Sequence, residues 1–189
     1  MEETGGGAEM TPVDARTFRQ TAGQFVTGVT VIAIEVEGSI RAMTANSFTS
    51  LSLDPPLVLF CLGKRTKAWQ LIQNATGFSV NILRDDQQDL SSYFAGSWKD
   101  PAAPPPFSFG AWEGGPRLAG CTAALGCIVH AIHDGGDHWI VVGRVIAVYR
   151  AEDGGQPLVF FRGRYARLAD GSDTAPSSQF PVNAQWLSW

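Results

Sequence analysis

The sequence predicts a mostly β protein, an antiparallel barrel with peripheral α-helices. Three observations carry this reading. Apolar, β-branched runs are joined by short turn signals, "EGS" at 37–39 and "DGGD" at 134–137, which is hairpin chemistry. No β-α-β repeat is evident, and neither G-x-G-x-x-G nor G-x-x-x-x-G-K-[ST] follows a strand, so a doubly wound nucleotide-binding sheet is unsupported. The 189 residues are 44% hydrophobic and 17% charged, which suits one globular domain with a sizeable core.

The elements follow in chain order. Residues 14–25, "DARTFRQTAGQF", predict a short helix capped by Asp14, with Phe18, Ala22 and Phe25 on one face. Residues 26–50 predict a long hairpin turning at "EGS". "PPLVLFCLG" (55–63) predicts a buried strand started by proline. "RTKAWQLIQNA" (65–75) has Ala68, Leu71 and Ile72 at helical spacing, "GFSVNIL" (77–83) is a further strand, and "DDQQDLSSYFAG" (85–96) is a helix with an acidic first turn and Gly96 at its end. Residues 97–116 are too rich in Pro and Gly for regular structure and predict a long surface loop anchored by Phe107, Phe109 and Trp112. Residues 117–151 predict a second long hairpin turning at "DGGD", and "QPLVFFRGRYARL" (156–168) a last strand. The boundaries expected are a flexible lead at 1–13, a domain at 14–168 and an extension at 169–189, whose Trp186, Leu187 and Trp189 could dock on the domain.

Composition narrows the function. A net charge of −4 makes nucleic acid an unexpected partner. No run is long and apolar enough to span a membrane, and the acidic, Gly-rich start has no signal-peptide h-region. Cys61, Cys121 and Cys127 show neither C-x-x-C spacing nor an even count, so they read as small buried hydrophobes in a reducing cytoplasm. His130 and His133 lie three apart on a predicted strand and would face opposite ways, so no metal site is expected.

Two polar clusters remain. "MTANSFTSLSLDPP" (43–56) is rich in Ser and Thr between apolar runs. Read as one strand, Thr44, Asn46, Phe48 and Ser50 form one face and Ala45, Ser47, Thr49 and Leu51 the other, with polar groups on both. Either this is a wet edge strand, or it lines a ligand site where hydroxyl, amide and backbone N–H groups meet a polar ring edge or a phosphate. "GKRTK" (63–67) sets Lys64, Arg65 and Lys67 around Thr66 at a predicted helix start. That is a solvated surface or, paired with the Ser/Thr strand, an anion seat. His138 follows the Gly-Gly turn, as a solvated strand end or as a donor at the mouth of a barrel pocket.

Taken together, "FVTGVTVIA", "MTANSFTSLSLDPPLVLFCLGKRTKAWQLI", "GFSVNIL", "LSSYFAG", "GGDHWIVVGRV" and "PLVFFRGRYARL" resemble the short-chain flavin reductases. These are NAD(P)H:flavin oxidoreductases that supply reduced flavin to two-component monooxygenases. The resemblance spans residues 14–168 and implies an FMN-binding split barrel of Greek-key type, a homodimer, and FMN or FAD with NADH or NADPH as ligands. It places Thr44, Ala45, Asn46, Ser47 and Phe48 against the flavin, and Ser50, Leu51 and Ser52 nearer its ribityl and phosphate groups. Arg65, Thr66 and Lys67 fall at the phosphate. His138 falls at the nicotinamide nucleotide, as the catalytic contact, with Gly163, Arg164 and Tyr165 in a segment closing over it. The Pro-rich stretch 101–106 and the tail after Leu168 depart from the family pattern. The rival reading is a non-catalytic flavin- or haem-binding split-barrel carrier or sensor, which needs neither His138 nor the "GRY" segment.

Overall fold

The structure is a computed structural model that describes residues 12–100, 102–152 and 154–168. Residues 1–11 of the expected lead and the 169–189 extension, with Trp186, Leu187 and Trp189, lie outside the described residues. Helix α1 (Ala15–Ala22) starts where Asp14 accepts the backbone N–H groups of Arg16 and Thr17, as its capping chemistry predicts. These bonds, led by the one from the Thr17 hydroxyl, hold the Asp14 carboxyl below the usual carboxylate range. Strand β1 (Thr27–Gly28) follows. Strands β2 (Thr30–Val36) and β3 (Ser39–Ala45) form the first hairpin, whose two-residue turn has Glu37 and Gly38 at φ 52° and 73°. Next come β4 (Thr49–Leu53), β5 (Pro56–Gly63), α2 (Lys67–Ile72), β6 (Gly77–Ile82) and α3 (Gln88–Phe94). The short pair β7 (Phe109–Gly110) and β8 (Arg117–Leu118) precedes the long hairpin β9 (Ala123–Gly135) and β10 (His138–Arg150). Strands β11 (Val159–Phe161) and β12 (Arg164–Ala166) end the described chain.

Seven strands pair antiparallel in the order β3-β2-β6-β9-β10-β5-β4. Its two edges, β3 and β4, are consecutive in sequence and separated only by residues 46–48. A flat sheet of seven strands would hold its edges roughly 29 Å apart. Four Cα steps, from Ala45 to Thr49, span at most about 14 Å. The sheet must therefore curl until its edges meet, and that makes it a split barrel.

The alternation of the strands fills this barrel. Ile32 and Ile34 of β2, Val58, Phe60 and Leu62 of β5, and Phe78 and Val80 of β6 form the interior cluster. Phe60 and Phe78 meet edge to face at 5.2 Å between ring centroids. Gly143 of β10 gives the Phe78 ring its space, since a Cβ there would lie 2.4 Å from it. Val29, just before β2, and Val31 on its other face join a second cluster with Leu83, Leu90, Leu118 and Leu158, beneath α3 and the β11–β12 hairpin. On that outer face, Asn81 is fully buried. Its amide nitrogen donates to the Val31 carbonyl at 3.0 Å and to the Ser79 hydroxyl at 2.9 Å, and its oxygen accepts the Leu118 N–H at 2.8 Å.

Several expectations are corrected. The polar segment is not one strand: β3 ends at Ala45 and β4 begins at Thr49, so the assumed two-face alternation through 46–48 does not exist. "QPLVFFRGRYARL" is a hairpin, because Arg162 and Gly163 take φ 51° and 76° and turn the chain. The end of the 97–116 loop is not at the surface. Gly114, Gly115 and Pro116 lie against β6 and β9 so closely that a Cβ on Gly115 would sit 2.5 Å from the Ser79 nitrogen. His130 is the extra residue of a β-bulge, since Val129 pairs with Gly143 and Ala131 with Val142, so strict alternation does not relate it to His133. Among the described residues the expected apolar face of α1 meets no partner: Phe18 is 64% and Phe25 78% exposed.

Replacing Asn81 with Ala would orphan the Leu118 N–H and the Val31 carbonyl inside the fold, and is expected to destabilise it by about 2–4 kcal/mol. Urea unfolding of the variant against wild type measures this, and a loss under 1 kcal/mol would show that the pairing is dispensable.

Candidate functional site

The barrel closes around one residue. Ala45 still pairs with Thr30 on β2, but two residues later the Ser47 hydroxyl is on β5, accepting the Cys61 N–H at 3.0 Å and donating to the Cys61 carbonyl at 3.2 Å. One side chain thus occupies both ladder positions of Cys61 as the main chain crosses from one edge to the other. Beside this crossing lies a cleft of about 670 Å³. That volume lies within the range of small-molecule sites.

Thr44, Ala45, Asn46 and Ser47 form one wall of the cleft, Gly63, Thr66 and Lys67 another, and His138 stands at the end of β10. Helix α3 and its C-terminal turn, Phe94, Ala95 and Gly96, close the remaining side. Leu62 and Ala68 add apolar surface. Seven of the residues singled out in the sequence are therefore brought together: Thr44, Ala45, Asn46, Ser47, Thr66, Lys67 and His138. Phe48 packs against the barrel core instead. Ser50, Leu51 and Ser52 lie on edge strand β4, where Leu51 is the unpaired residue of a bulge. Arg65 is exposed beside the cleft, close enough to Asp137 to help lower its pKa.

His138 is oriented rather than loose. It pairs in register with Gly63, and its Nδ1 lies 2.7 Å from the Asp137 carboxylate. Nδ1 carries the proton in that bond, which leaves Nε2 to face the space over Gly63. The bond to His138, then its charge, hold the Asp137 carboxyl below its ordinary range. A Cβ on Gly63 would lie 3.2 Å from Thr66 Cγ2 and 3.7 Å from His138 Nε2, so glycine keeps this corner open. The basic segment is tied to the same turn. Lys64 pairs with Asp134, lies 4.5 Å over the Trp139 ring, and donates its backbone N–H to Asp137 at 3.0 Å. Trp139 stacks on Trp69 of α2 at 4.6 Å. Lys64 is thus part of the frame, and Arg65 and Lys67 are the cations left facing solvent.

A relay behind the wall was not anticipated. The Thr44 hydroxyl donates to the Ser91 carbonyl at 2.6 Å, and the Ser91 hydroxyl lies 2.9 Å from the Tyr165 hydroxyl. Ser91 is fully buried on α3. Of the "GRY" residues, Tyr165 therefore supports the cleft wall from behind. Gly163 and Arg164 belong to the β11–β12 hairpin, whose Arg162 is bonded to Gly23 and Gln24 after α1. None of the three lines the cleft. Phe94 and Gly96 belong to "LSSYFAG", where the local signal was a helix end and not a site, because only the closure of the barrel sets them opposite Thr44. Cys121 and Cys127 are buried, and burial pushes the Cys127 thiol up to about 12. Among the described residues, no group of three His, Cys, Asp or Glu could hold a metal ion.

The chain is thus a split antiparallel barrel whose edge crossing opens onto a polar, cation-bearing cleft. The chain matches the flavin reductase like domain over residues 22–169 and belongs to that family. It is 39% identical over 172 residues to the flavin-dependent monooxygenase reductase subunit HsaB of Rhodococcus jostii, covering 88% of this chain and 85% of that protein. Among solved structures, it is similar to the flavin reductase PheA2 in its native state, with a TM-score of 0.78 and 39% identity over 83% of this chain and 99% of that one. It is similar also to the Streptomyces globisporus NADH:FAD oxidoreductase SgcE6 in complex with NAD and FAD fragments, with a TM-score of 0.76 and 36% identity over 87% of this chain and 100% of that one.

Proposed function

We propose that this chain is an NADH-dependent flavin reductase that reduces FAD or FMN in the cleft beside residues 44–47 and releases it to a partner monooxygenase. The observation that carries the reading is the convergence of Thr44–Ser47, Thr66–Lys67 and His138 on one open cleft. The donor set fits a flavin nucleotide. Asn46 and the backbone of the crossing offer polar partners to a ring edge, Leu62, Ala68 and Phe94 offer apolar surface, and Lys67 and the nearby Arg65 offer charge to a phosphate. Helix α2 has only six residues, so the side chains and not the helix dipole supply that charge. NADH is the expected donor because SgcE6 is named for it. The chemistry between the two rings is a hydride transfer that needs no protein acid or base. The protein's task is placement. Ser47 and Thr44 fix the wall through Cys61 and Ser91, and Asp137 fixes the His138 ring so that Nε2 can orient the nicotinamide nucleotide. The three free cysteines and the NADH requirement fit the cytoplasm.

The direct test is oxidation of NADH or NADPH by the purified protein with FAD, FMN or riboflavin, followed at the nicotinamide absorbance. Turnover with NADH above the NADPH rate is expected; no turnover with either donor would remove the proposal. Replacing Arg65 and Lys67 together with Ala should weaken FMN binding about tenfold, since two solvent-screened charge contacts of up to about 1 kcal/mol each are lost, while riboflavin binding changes far less. Equal losses for both ligands in a fluorescence titration would show that the phosphate lies elsewhere.

His138→Ala should lower kcat/KM for NADH on the order of a hundredfold while flavin affinity stays within about twofold, because the ring places one reactant and does not hold the other. Unchanged kinetics would reduce His138 to a strand-end residue.

A homodimer completes the proposal. Among the described residues, Phe18 on α1, Phe25 and Val26 after it, Leu53 on β4 and Val148 on β10 are exposed apolar side chains that a second copy of the chain would cover. Sedimentation at micromolar concentration should give twice the 20.3 kDa chain mass, and Phe25→Glu should shift it towards monomer. A wild-type monomer would contradict this.

A further inference from the structure

A second, smaller chamber lies under α2, on the barrel side of the cleft. Its volume is about 130 Å³. Ile32 and Ile34 of β2, Phe60 and Leu62 of β5, and Ile72 of α2 wall it, and all five are buried. Arg41 of β3 and Lys67 at the start of α2 also line it, and both are exposed. The chamber is therefore apolar at its depth and cationic at its mouth. No acidic side chain lines it, and among the described residues neither Arg41 nor Lys67 forms an ion pair. Among the described residues the Arg41 guanidinium donates only to the carbonyl of its neighbour Ile40, at 3.2 Å.

Protein interiors leave few voids larger than a water molecule. An apolar cavity of about 150 Å³ takes up a benzene ring. A void close to that size, retained beside a functional cleft and capped by two uncompensated cations, has the chemistry of a binding site. We propose that it binds a single-ring organic anion, with the ring among Ile34, Phe60 and Ile72 and the carboxylate between Arg41 and Lys67. Arg41 suits a carboxylate by its forked donors. Lys67, Ala68, Met43 and Leu62 line the cleft as well as the chamber. An occupant would therefore draw on a cation that the cleft uses, and would be read there as weaker binding of a phosphate-bearing flavin. The occupancy stands on the chamber alone; only this coupling rests on the reductase reading.

Benzoate is the probe, titrated calorimetrically into the purified full chain, with neutral benzyl alcohol alongside. The wild type should bind one benzoate per chain. Arg41→Gln, at an exposed position that tolerates the change, should weaken benzoate at least about fivefold and leave benzyl alcohol and the NADH oxidation rate unchanged. Ile34→Phe should fill the chamber and abolish binding of both, with its fold checked by circular dichroism. If it does not fold, Arg41→Gln alone decides. Saturating benzoate should lower FMN affinity more than riboflavin affinity. No saturable benzoate binding to the wild type overturns the proposal, as does benzoate affinity unchanged in Arg41→Gln. Binding that riboflavin displaces and Ile34→Phe leaves intact places benzoate in the cleft and overturns it too. If benzoate binds as described while no flavin is reduced, the chamber stands and the reductase reading falls.

Discussion

The molecule depends on the transfer of one strand from one edge of a sheet to the other. Ala45 is hydrogen-bonded into β2, and Ser47 is bonded through its side chain to β5. The residues between have to leave both ladders, so polar main chain and polar side chains collect at the seam. A purely apolar crossing would bury backbone groups without partners, at a cost of the order of a lost hydrogen bond each. The hydroxyl of Ser47 meets both backbone groups of Cys61 in place of a ladder residue. Closure also sets β5 and the start of β10 beside the seam, because His138 pairs with Gly63 at the end of β5. The cleft is thus a geometric consequence of closing the barrel in this way.

A rigid seam needs support from behind, and the outer layer supplies it with buried polar groups. Thr44 is held by Ser91, Ser91 by Tyr165, and Tyr165 packs on Phe160 in the β11–β12 hairpin. On the neighbouring strand, Asn81 joins β2 to the chain at Leu118. The Asn81 amide and the Thr44 and Ser91 hydroxyls each have a partner of defined geometry, and such groups stabilise one arrangement far more than its alternatives. The interior cluster does the opposite job. Phe78 against Phe60, over the bare backbone of Gly143, fills volume without specifying polar contacts. The fold is therefore filled from the inside and positioned from the outside.

The sequence displayed the local elements well. Asp14 marked a cap, "EGS" and "DGGD" marked turns, and the apolar run "PPLVLFCLG" marked a strand started by proline, of which only the structure shows that Val58, Phe60 and Leu62 form the buried face. Those signals act over a few residues. The seam reads as one strand because no Gly or Pro interrupts residues 44–51, and the break at 46–48 is set by the topology of the whole sheet. The last hairpin was hidden because Arg162 takes a positive φ, which a chain shows by Gly or Asn more often than by Arg. The cleft was half legible. Hydroxyl-rich and basic runs could be recognised as ligand chemistry, but Phe94 and Gly96 enter from a different part of the chain. The frame roles of Thr44 and Ser47 also depend on partners 47 and 14 residues away.

The basic segment shows how the chain divides its charges between structure and binding. Lys64, the first cation after β5, is neutralised by Asp134 and covered by Trp139, and the turn that holds Asp134 also holds Asp137. That clamp fixes residues 63–66 against the β9–β10 turn, so the next cations, Arg65 and Lys67, start from a set backbone, and among the described residues their side chains form no ion pair. Exposed cations at fixed positions attract a polyanion yet contribute only modestly to holding it, because water screens them. His138 is arranged on the same plan, with one nitrogen tied to Asp137 and the other left towards the cleft. A site that locked its ligand would bury these groups and pair them. This one positions them and leaves them wet, as the proposed release of reduced flavin requires.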